Sequence, residues 1–330
     1  MPYTDGHRNS TTRNEYSRSP PKICRVSMTL SIFAACALCF VSRVKQTNPT
    51  VYSRIGATRD GYMQLSENNA SSYLNGLNAN NEIILTSTTC GYLDMTLNWI
   101  EQLRSIGLNN FLVIAEDLPA YEYLLRFAPH NTLPSYIFGR PFSRTAREAA
   151  SFDSPDFDWC SRPYYLRELI RHNFSALWVD SDAALLRNPF EVLRQMTSYV
   201  ILVDDEPALQ PITRYRHYYC SCFVFVRPSR AAEALLSTWA HLCGNRTQDQ
   251  IPLNEALDLL KGAVSWQTMP KELYPSGYDA ERLTLTKSPG WESPAWIHAN
   301  WRVGEEAKEN FLSRFGLWRN LRAPLHCNAI

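Results

Sequence analysis

Apolar positions are sparse in residues 43–81 and gather into short blocks from residue 82 onward. Ile83-Ile84-Leu85-Thr86-Ser87-Thr88 is a β-prone run that predicts a buried strand. Leu93, Leu97, Ile100 and Leu103 recur at helical spacing, and Gly107 closes that stretch. Phe111 to Ala115 reads as a second buried strand and Tyr121 to Phe127 as a short helix. A helix over Pro163 to His172 precedes a third strand at Ser175 to Val179; after another helix come the runs Val200 to Val203 and Phe223 to Val226. A further helix is expected over Pro252 to Lys261. Continuous apolar strands alternating with helices predict an α/β fold, with a mainly parallel sheet covered by helices on both faces. In such sheets ligands bind beyond the carboxyl ends of the strands, so strand exits carry the most weight.

The pattern before residue 82 is of another kind. Val26 to Ser42 contains no charge, with Arg25 before it and Arg43 and Lys45 after it. At 1.5 Å per residue this run reaches about 25 Å, enough for a thin bilayer. It predicts a signal anchor at 26–42 with a basic cytosolic tail at 1–25, by the positive-inside rule. A cleaved signal peptide is the alternative reading. Residues 43–81, rich in Asn, Ser and Thr, are expected to form a flexible stem, leaving 82–330 as a single lumenal domain.

Composition adds constraints. The chain has 330 residues, 45% of them apolar, and a formal charge of +1. That balance argues against a dedicated nucleic-acid binder. A mean hydropathy of −0.30 excludes a polytopic membrane protein while leaving room for one span. Beyond the anchor segment, Cys90, Cys160, Cys220, Cys222, Cys243 and Cys327 allow up to three disulfides in an oxidising lumen, with the connectivity open. None of the spacings is that of a zinc finger. Sequons at Asn69, Asn173 and Asn245 fit lumenal exposure.

Candidate chemistry sits at Leu177-Trp178-Val179-Asp180-Ser181-Asp182. Two carboxylates spaced i and i+2 share a face where a buried strand leaves the sheet, and a turn there can aim both at one ion. Carboxylate oxygens suit Mg²⁺ or Mn²⁺, which keep positions open for substrate phosphates. An isolated Asp-x-Asp has poor specificity, since Asp is common in loops after strands.

The surrounding residues supply the specificity. The segment VDSDAALLRNPFEVL, with Asn188-Pro189-Phe190 opening the next helix, resembles the DxD segment of nucleotide-diphospho-sugar transferases. More specifically, the chain resembles the retaining family typified by plant and fungal glycosyltransferase family 77, related to family 8. Thr86 to Trp99 resembles that family's first strand and helix, where the nucleotide enters. Tyr219 to Pro228 resembles the strand that normally reads Asn-x-Gly ahead of an aromatic run ending in Arg-Pro. Asp249-Gln250, with Asn254 following, resembles the Asp-Gln motif of the donor-sugar pocket. His298-Ala299-Asn300, then Gly304 and Lys308, resembles the C-terminal His-x-Asn and Gly…Lys elements. The likeness covers roughly residues 82–320, in order.

This resemblance implies a Rossmann-like fold of the GT-A type and retaining transfer of a sugar from a UDP-sugar. The acceptor would be a glycan or glycoprotein, in the Golgi or the ER, at the end of a single-pass type II anchor. It also implies roles. Asp180, Asp182 and His298 would hold Mn²⁺ (or Mg²⁺), with Asp180 reaching the ribose as well. Thr86, Arg162, Asn254 and Lys308 would contact the nucleotide sugar, Lys308 as a point charge for a phosphate oxygen. Asp249 would hydrogen-bond donor hydroxyls, and Gln250 would give electrostatic support near the anomeric carbon. Trp291, Trp296 and Trp301 are the acceptor-side candidates.

One departure stands out. Cys220-Ser221-Cys222 replaces Asn-x-Gly. It motivates a second reading, a catalytically inactive transferase-fold protein that binds glycans or partners; the two cysteines could instead form lumenal disulfides with other cysteines. A metal-dependent hydrolase ranks third, for want of a second dense cluster of ligands. Divided by segment, the near-neutral charge is uneven: residues 1–25 carry +3, residues 26–80 carry +2, and the remainder carries −4.

Overall fold

The structure, a computed structural model, describes residues 81–145, 159–205, 218–244, 248–286 and 294–323. The tail, the anchor segment, all but the last residue of the stem, and Asn69, Asn245 and Trp291 lie outside them. No helix among the described residues is long and apolar enough to cross a membrane.

The core is a seven-stranded sheet. Its strands are β1 (Glu82–Thr88), β2 (Phe111–Ala115), β3 (Thr132–Pro134), β4 (Ser175–Val179), β6 (Val200–Asp204), β7 (Tyr219–Val226) and β8 (Trp266–Thr268). They lie in the order β3-β2-β1-β4-β7-β6-β8. β7 alone is antiparallel to its neighbours β4 and β6; every other pairing in this sheet is parallel. Two further strands, β5 (Ala183–Leu185) and β9 (Trp296–His298), pair antiparallel with Ala183 opposite His298. The expected mainly parallel, Rossmann-like sheet is therefore present.

Strand alternation sorts the side chains into two layers. Ile84, Val113, Leu177, Ile201 and Phe225 pack on one face against Leu93, Leu97 and Ile100 of α1 (Leu93–Ser105) and Leu124 of α2 (Leu118–Phe127). Ile83, Leu85, Leu112, Ala176 and Val224 point to the other face. There they meet α3 (Arg162–Arg171), α5 (Arg230–Cys243) and α6 (Gln250–Leu259). Both faces are dry, which is why these strands read as unbroken apolar runs instead of alternating ones. The short α4 (Phe190–Leu193) begins as expected after Asn188, whose Oδ1 accepts the Phe190 amide at 3.0 Å. A third cluster, including Met95, Ala184, Ile297, Phe311 and Leu312, seats the β5–β9 pair against α8 (Glu305–Arg314). Between them in sequence, α7 (Gly277–Thr286) precedes β9.

Two sequence expectations change. Cys220 and Cys222 are bonded to each other, not to other cysteines; a second disulfide joins Cys160 to Cys243. β7 also begins at Tyr219, ahead of the Phe223 run. Its pairing with β6 jumps from Leu202–Val224 to Val203–Cys220, so Ser221 to Phe223 bulge from the ladder on that side.

Candidate active site

β4 delivers the acidic pair to one end of the sheet. The Asp180 amide donates to the Cys222 carbonyl of β7 at 3.0 Å, and the Ala183 amide closes the turn back onto the Asp180 carbonyl at 3.0 Å. The Asp182 carbonyl accepts the Ala299 amide at 3.0 Å, fixing the loop to the end of β9. That tether brings His298 in: its Nε2 lies 3.2 Å from Asp182 Oδ1. Ligand atoms of Asp180, Asp182 and His298 all fall within 4.8 Å of one another.

Lys308, on the first turns of α8, closes the other side of Asp182, with Nζ 2.6 Å from Oδ2. Burial alone pushes the Asp182 carboxyl up, but Lys308 and then His298 outweigh it, and Asp182 is held well below the ordinary carboxylate range. The same exchange acts on Lys308: burial disfavours its charge, Asp182 favours it more, and its pKa rises. Lys308 also lies 5.8 Å from the centre of the Tyr92 ring, just before α1.

A second charged group adjoins the first. Arg162, at the start of α3, is buried and lies 5.0 Å from the centre of the Trp178 ring. It reaches Asp180 Oδ1 at 2.9 Å and Asp249 Oδ2 at 3.1 Å. Ser221 sits between: its hydroxyl accepts from Arg162 at 3.0 Å and donates to Asp249 Oδ1 at 3.1 Å. Trp178 Nε1 donates to Asp180 Oδ1 at 2.7 Å, and Trp239 Nε1 donates to the Asp249 carbonyl at 2.8 Å. One guanidinium thus serves two carboxylates. Burial raises the Asp249 pKa and Arg162 only partly reverses it.

Beyond Asp249, Gln250 Nε2 donates to Asp205 Oδ2 at 2.7 Å, and the Asn300 amide lies 3.5 Å from Asp205 Oδ1. Asn300 Oδ1 accepts the Gly277 amide at 2.6 Å. A Cβ at Gly277 would stand 2.3 Å from the His298 carbonyl oxygen and 2.5 Å from Asn300 Oδ1. Only glycine allows α7 to start so near His298 and Asn300.

Of the nine residues singled out in sequence, Asp180, Asp182, His298 and Lys308 form one cluster and Arg162 and Asp249 the adjoining one, bridged by the Arg162–Asp180 pair. Gln250 follows Asp249 at the start of α6. Thr86 is buried in mid-β1, joined to neither cluster by any described hydrogen bond. Asn254 accepts the Tyr219 amide and donates to the carbonyls of Tyr219 and Gln250, all at 2.9 Å. It clamps the start of β7, with its amide engaged by backbone. Trp296 is corrected as an acceptor-side candidate: it is buried, packs 5.1 Å from the His298 ring, and donates to the Pro275 carbonyl. Trp301 is exposed, with a left-handed φ of 62°. Ser221 and Asp205 escaped sequence reasoning. Ser221 occupied the unspecified middle position of a three-residue pattern, and Asp205 had no motif around it.

Two carboxylates, an imidazole and a neighbouring ammonium form a donor set suited to a hard divalent cation with a phosphate beside it. Among the described residues Nδ1 of His298 is buried without a hydrogen-bond partner, as fits a side chain with further ligand capacity. The profile of nucleotide-diphospho-sugar transferases matches residues 106–312, which contain both clusters. The chain belongs to the nucleotide-diphospho-sugar transferase family.

This transferase is 25% identical over 261 residues to UDP-D-xylose:L-fucose alpha-1,3-D-xylosyltransferase MGP4 of Arabidopsis thaliana, spanning 72% of this chain and 70% of that one. It is 20% identical over 279 residues to UDP-galactose:fucoside alpha-3-galactosyltransferase of Dictyostelium discoideum, across 72% of this chain and 43% of that one. Among solved structures, the glycosyltransferase GlyE of Streptococcus pneumoniae TIGR4 superposes with a TM-score of 0.45 at 11% identity, over 75% of this chain and 62% of its own.

Proposed function

We propose that this transferase moves a pentose or hexose from a UDP-sugar to a glycan or glycoprotein acceptor, with a divalent cation and with retention of anomeric configuration. The observation that carries this reading is the meeting of Asp180, Asp182 and His298, with Lys308 on Asp182, at a strand exit. The two relatives named above use UDP-xylose and UDP-galactose and act on fucose or fucosides, which makes a fucose-bearing acceptor the first to try.

Asp180, Asp182 and His298 would hold Mn²⁺ or Mg²⁺, which when bound supplies Lewis acidity toward the donor diphosphate. Lys308 would leave Asp182 in part to neutralise a phosphate oxygen. Arg162 would orient the Asp180 carboxylate, while Asp249, steadied by Ser221, would accept hydrogen bonds from the donor sugar. Gln250 would lie near the anomeric carbon as an electrostatic support. Residues 82–330 would be lumenal, displayed on a stem from a Golgi or ER anchor.

The test is hydrolysis and transfer across a panel of UDP-sugars by the purified protein, with and without Mn²⁺. Cation-dependent turnover is expected, with Asp182→Ala reducing it at least about a hundredfold, the scale of losing a group that stabilises transition-state charge. The anomeric configuration of the product, read by NMR, tests retention. UDP binding without turnover of any donor would overturn the proposal in favour of the glycan-binding reading.

A further inference from the structure

The imidazole that faces the acidic pair also faces two sulfurs. Sγ of Cys220, Sγ of Cys222 and a ring nitrogen of His298 lie within 4.8 Å of one another, and all three side chains are buried. The unpartnered Nδ1 belongs to this same ring, on a residue only 3% exposed. Cys222 lies within the bulge of β7 and Cys220 at its edge; β4 holds the first, where Phe223 pairs with Val179 and the Cys222 carbonyl accepts the Asp180 amide, and β6 holds the second, where Cys220 pairs with Val203. These pairings with β4 and β6 are made by main-chain atoms and not by sulfur, so opening the sulfur–sulfur bond breaks none of them.

The two donor sets around His298 differ in kind. Carboxylates and an imidazole suit Mn²⁺ and Mg²⁺; thiolates and an imidazole suit Zn²⁺ and its soft neighbours. With Cys220 and Cys222 joined, neither sulfur is a thiolate. We propose that reducing the Cys220–Cys222 disulfide opens a second metal site, Cys220–Cys222–His298, for a soft divalent cation of the zinc class, which competes with the Asp180–Asp182 site for His298. A zinc finger is read from spacing within one segment; here the ligands come from β7 and β9, which spacing alone does not reveal.

The chemistry balances. A phosphine in water reduces the disulfide to two thiols and leaves as the phosphine oxide; a dithiol does the same and leaves as its own disulfide. Binding of the cation by both sulfurs as thiolates releases their two protons. The redox state of one bond thereby chooses which cation His298 serves.

Cobalt(II) is the probe, because thiolate ligation adds a charge-transfer absorption that carboxylate and imidazole ligation lack. The full chain is reduced with a water-soluble phosphine, freed of it without oxygen, and titrated with Co²⁺. The reduced protein is expected to develop the thiolate band, zinc to abolish it, and the oxidised protein to lack it. Reduced Asp180→Asn should keep the band, and reduced Cys220→Ser/Cys222→Ser should lose it while retaining every other cysteine. No band in reduced wild type, or an undiminished band in the double variant, overturns the proposal. Should the double variant not fold, X-ray absorption of the reduced, zinc-loaded wild type decides: two sulfurs with at least one nitrogen support the site, whereas four sulfurs or none overturn it. The readout involves no sugar, so this proposal and the proposed transfer reaction fail separately.

Discussion

Ser221 joins two charged groups that its neighbours could not join. Its hydroxyl accepts from Arg162 and donates to Asp249, so one oxygen helps divide a single guanidinium between Asp180 and Asp249. Ser221→Ala leaves both partners buried and one hydrogen bond short, a change worth about 1–3 kcal/mol. If Asp249 orients the donor, donor turnover should fall roughly five- to tenfold at the lower end of that range. Steady-state hydrolysis of the donor checks this, alongside circular dichroism to show an unchanged fold. At this scale the sequence was legible where a motif concentrated chemistry, as at Asp180 and Asp182 after an apolar strand. Ser221 was not, because its role depends on a bulge, and bulges arise from pairing with a strand that is remote in sequence. The burial of Arg162 beside Trp178 comes from tertiary packing, which its neighbours in sequence do not reveal.

Elements of five residues with unbroken apolar character were legible to the residue, as at β2 and β4. β5, β8 and β9 have three residues each, too few to establish any period, and sequence reasoning passed over them. Yet β9 carries His298, and its place is secured by the start of α7. Gly277→Ala would drive a methyl into the His298 carbonyl and the Asn300 amide. Because the first of those is backbone, relief requires moving β9 or α7. We expect a loss of about 1–3 kcal/mol, the usual scale of overpacking, read by chemical denaturation. Weaker binding of Mn²⁺, measured by calorimetry, should accompany it, since His298 moves with its carbonyl. Gly304→Ala, where a Cβ meets nothing within 4 Å although φ is +84°, separates backbone strain from steric clash.

For the molecule as a whole, the excess of acidic residues from residue 81 onward is not spread evenly in consequence. Glu305 is pushed up to about 7, first by burial and then by repulsion from Asp94, with Arg322 opposing. The folded state therefore holds a proton that the unfolded chain, with a carboxyl near 4.3, has released. The sign follows: this group favours folding less and less as pH rises from about 4.5 to about 7, with the full penalty in place above that. Glu305 is only half-buried, so after solvent screening we expect about 1 kcal/mol. Glu305→Gln should raise the melting temperature at pH 8 by roughly 2–4 °C and change it little at pH 4.5, as thermal denaturation at the two pH values will show.

The position of the proposed metal ligands along the chain also bears on biosynthesis. The last strand of the seven-stranded sheet ends at Thr268, while His298 and Lys308 come later. A nascent chain can therefore pair its whole central sheet with Asp180 and Asp182 already at the edge, yet offer a cation only two acidic side chains. On the proposed metal assignment, capture of the cation would wait for the closing segment of synthesis, until the elements that carry His298 and Lys308 have docked.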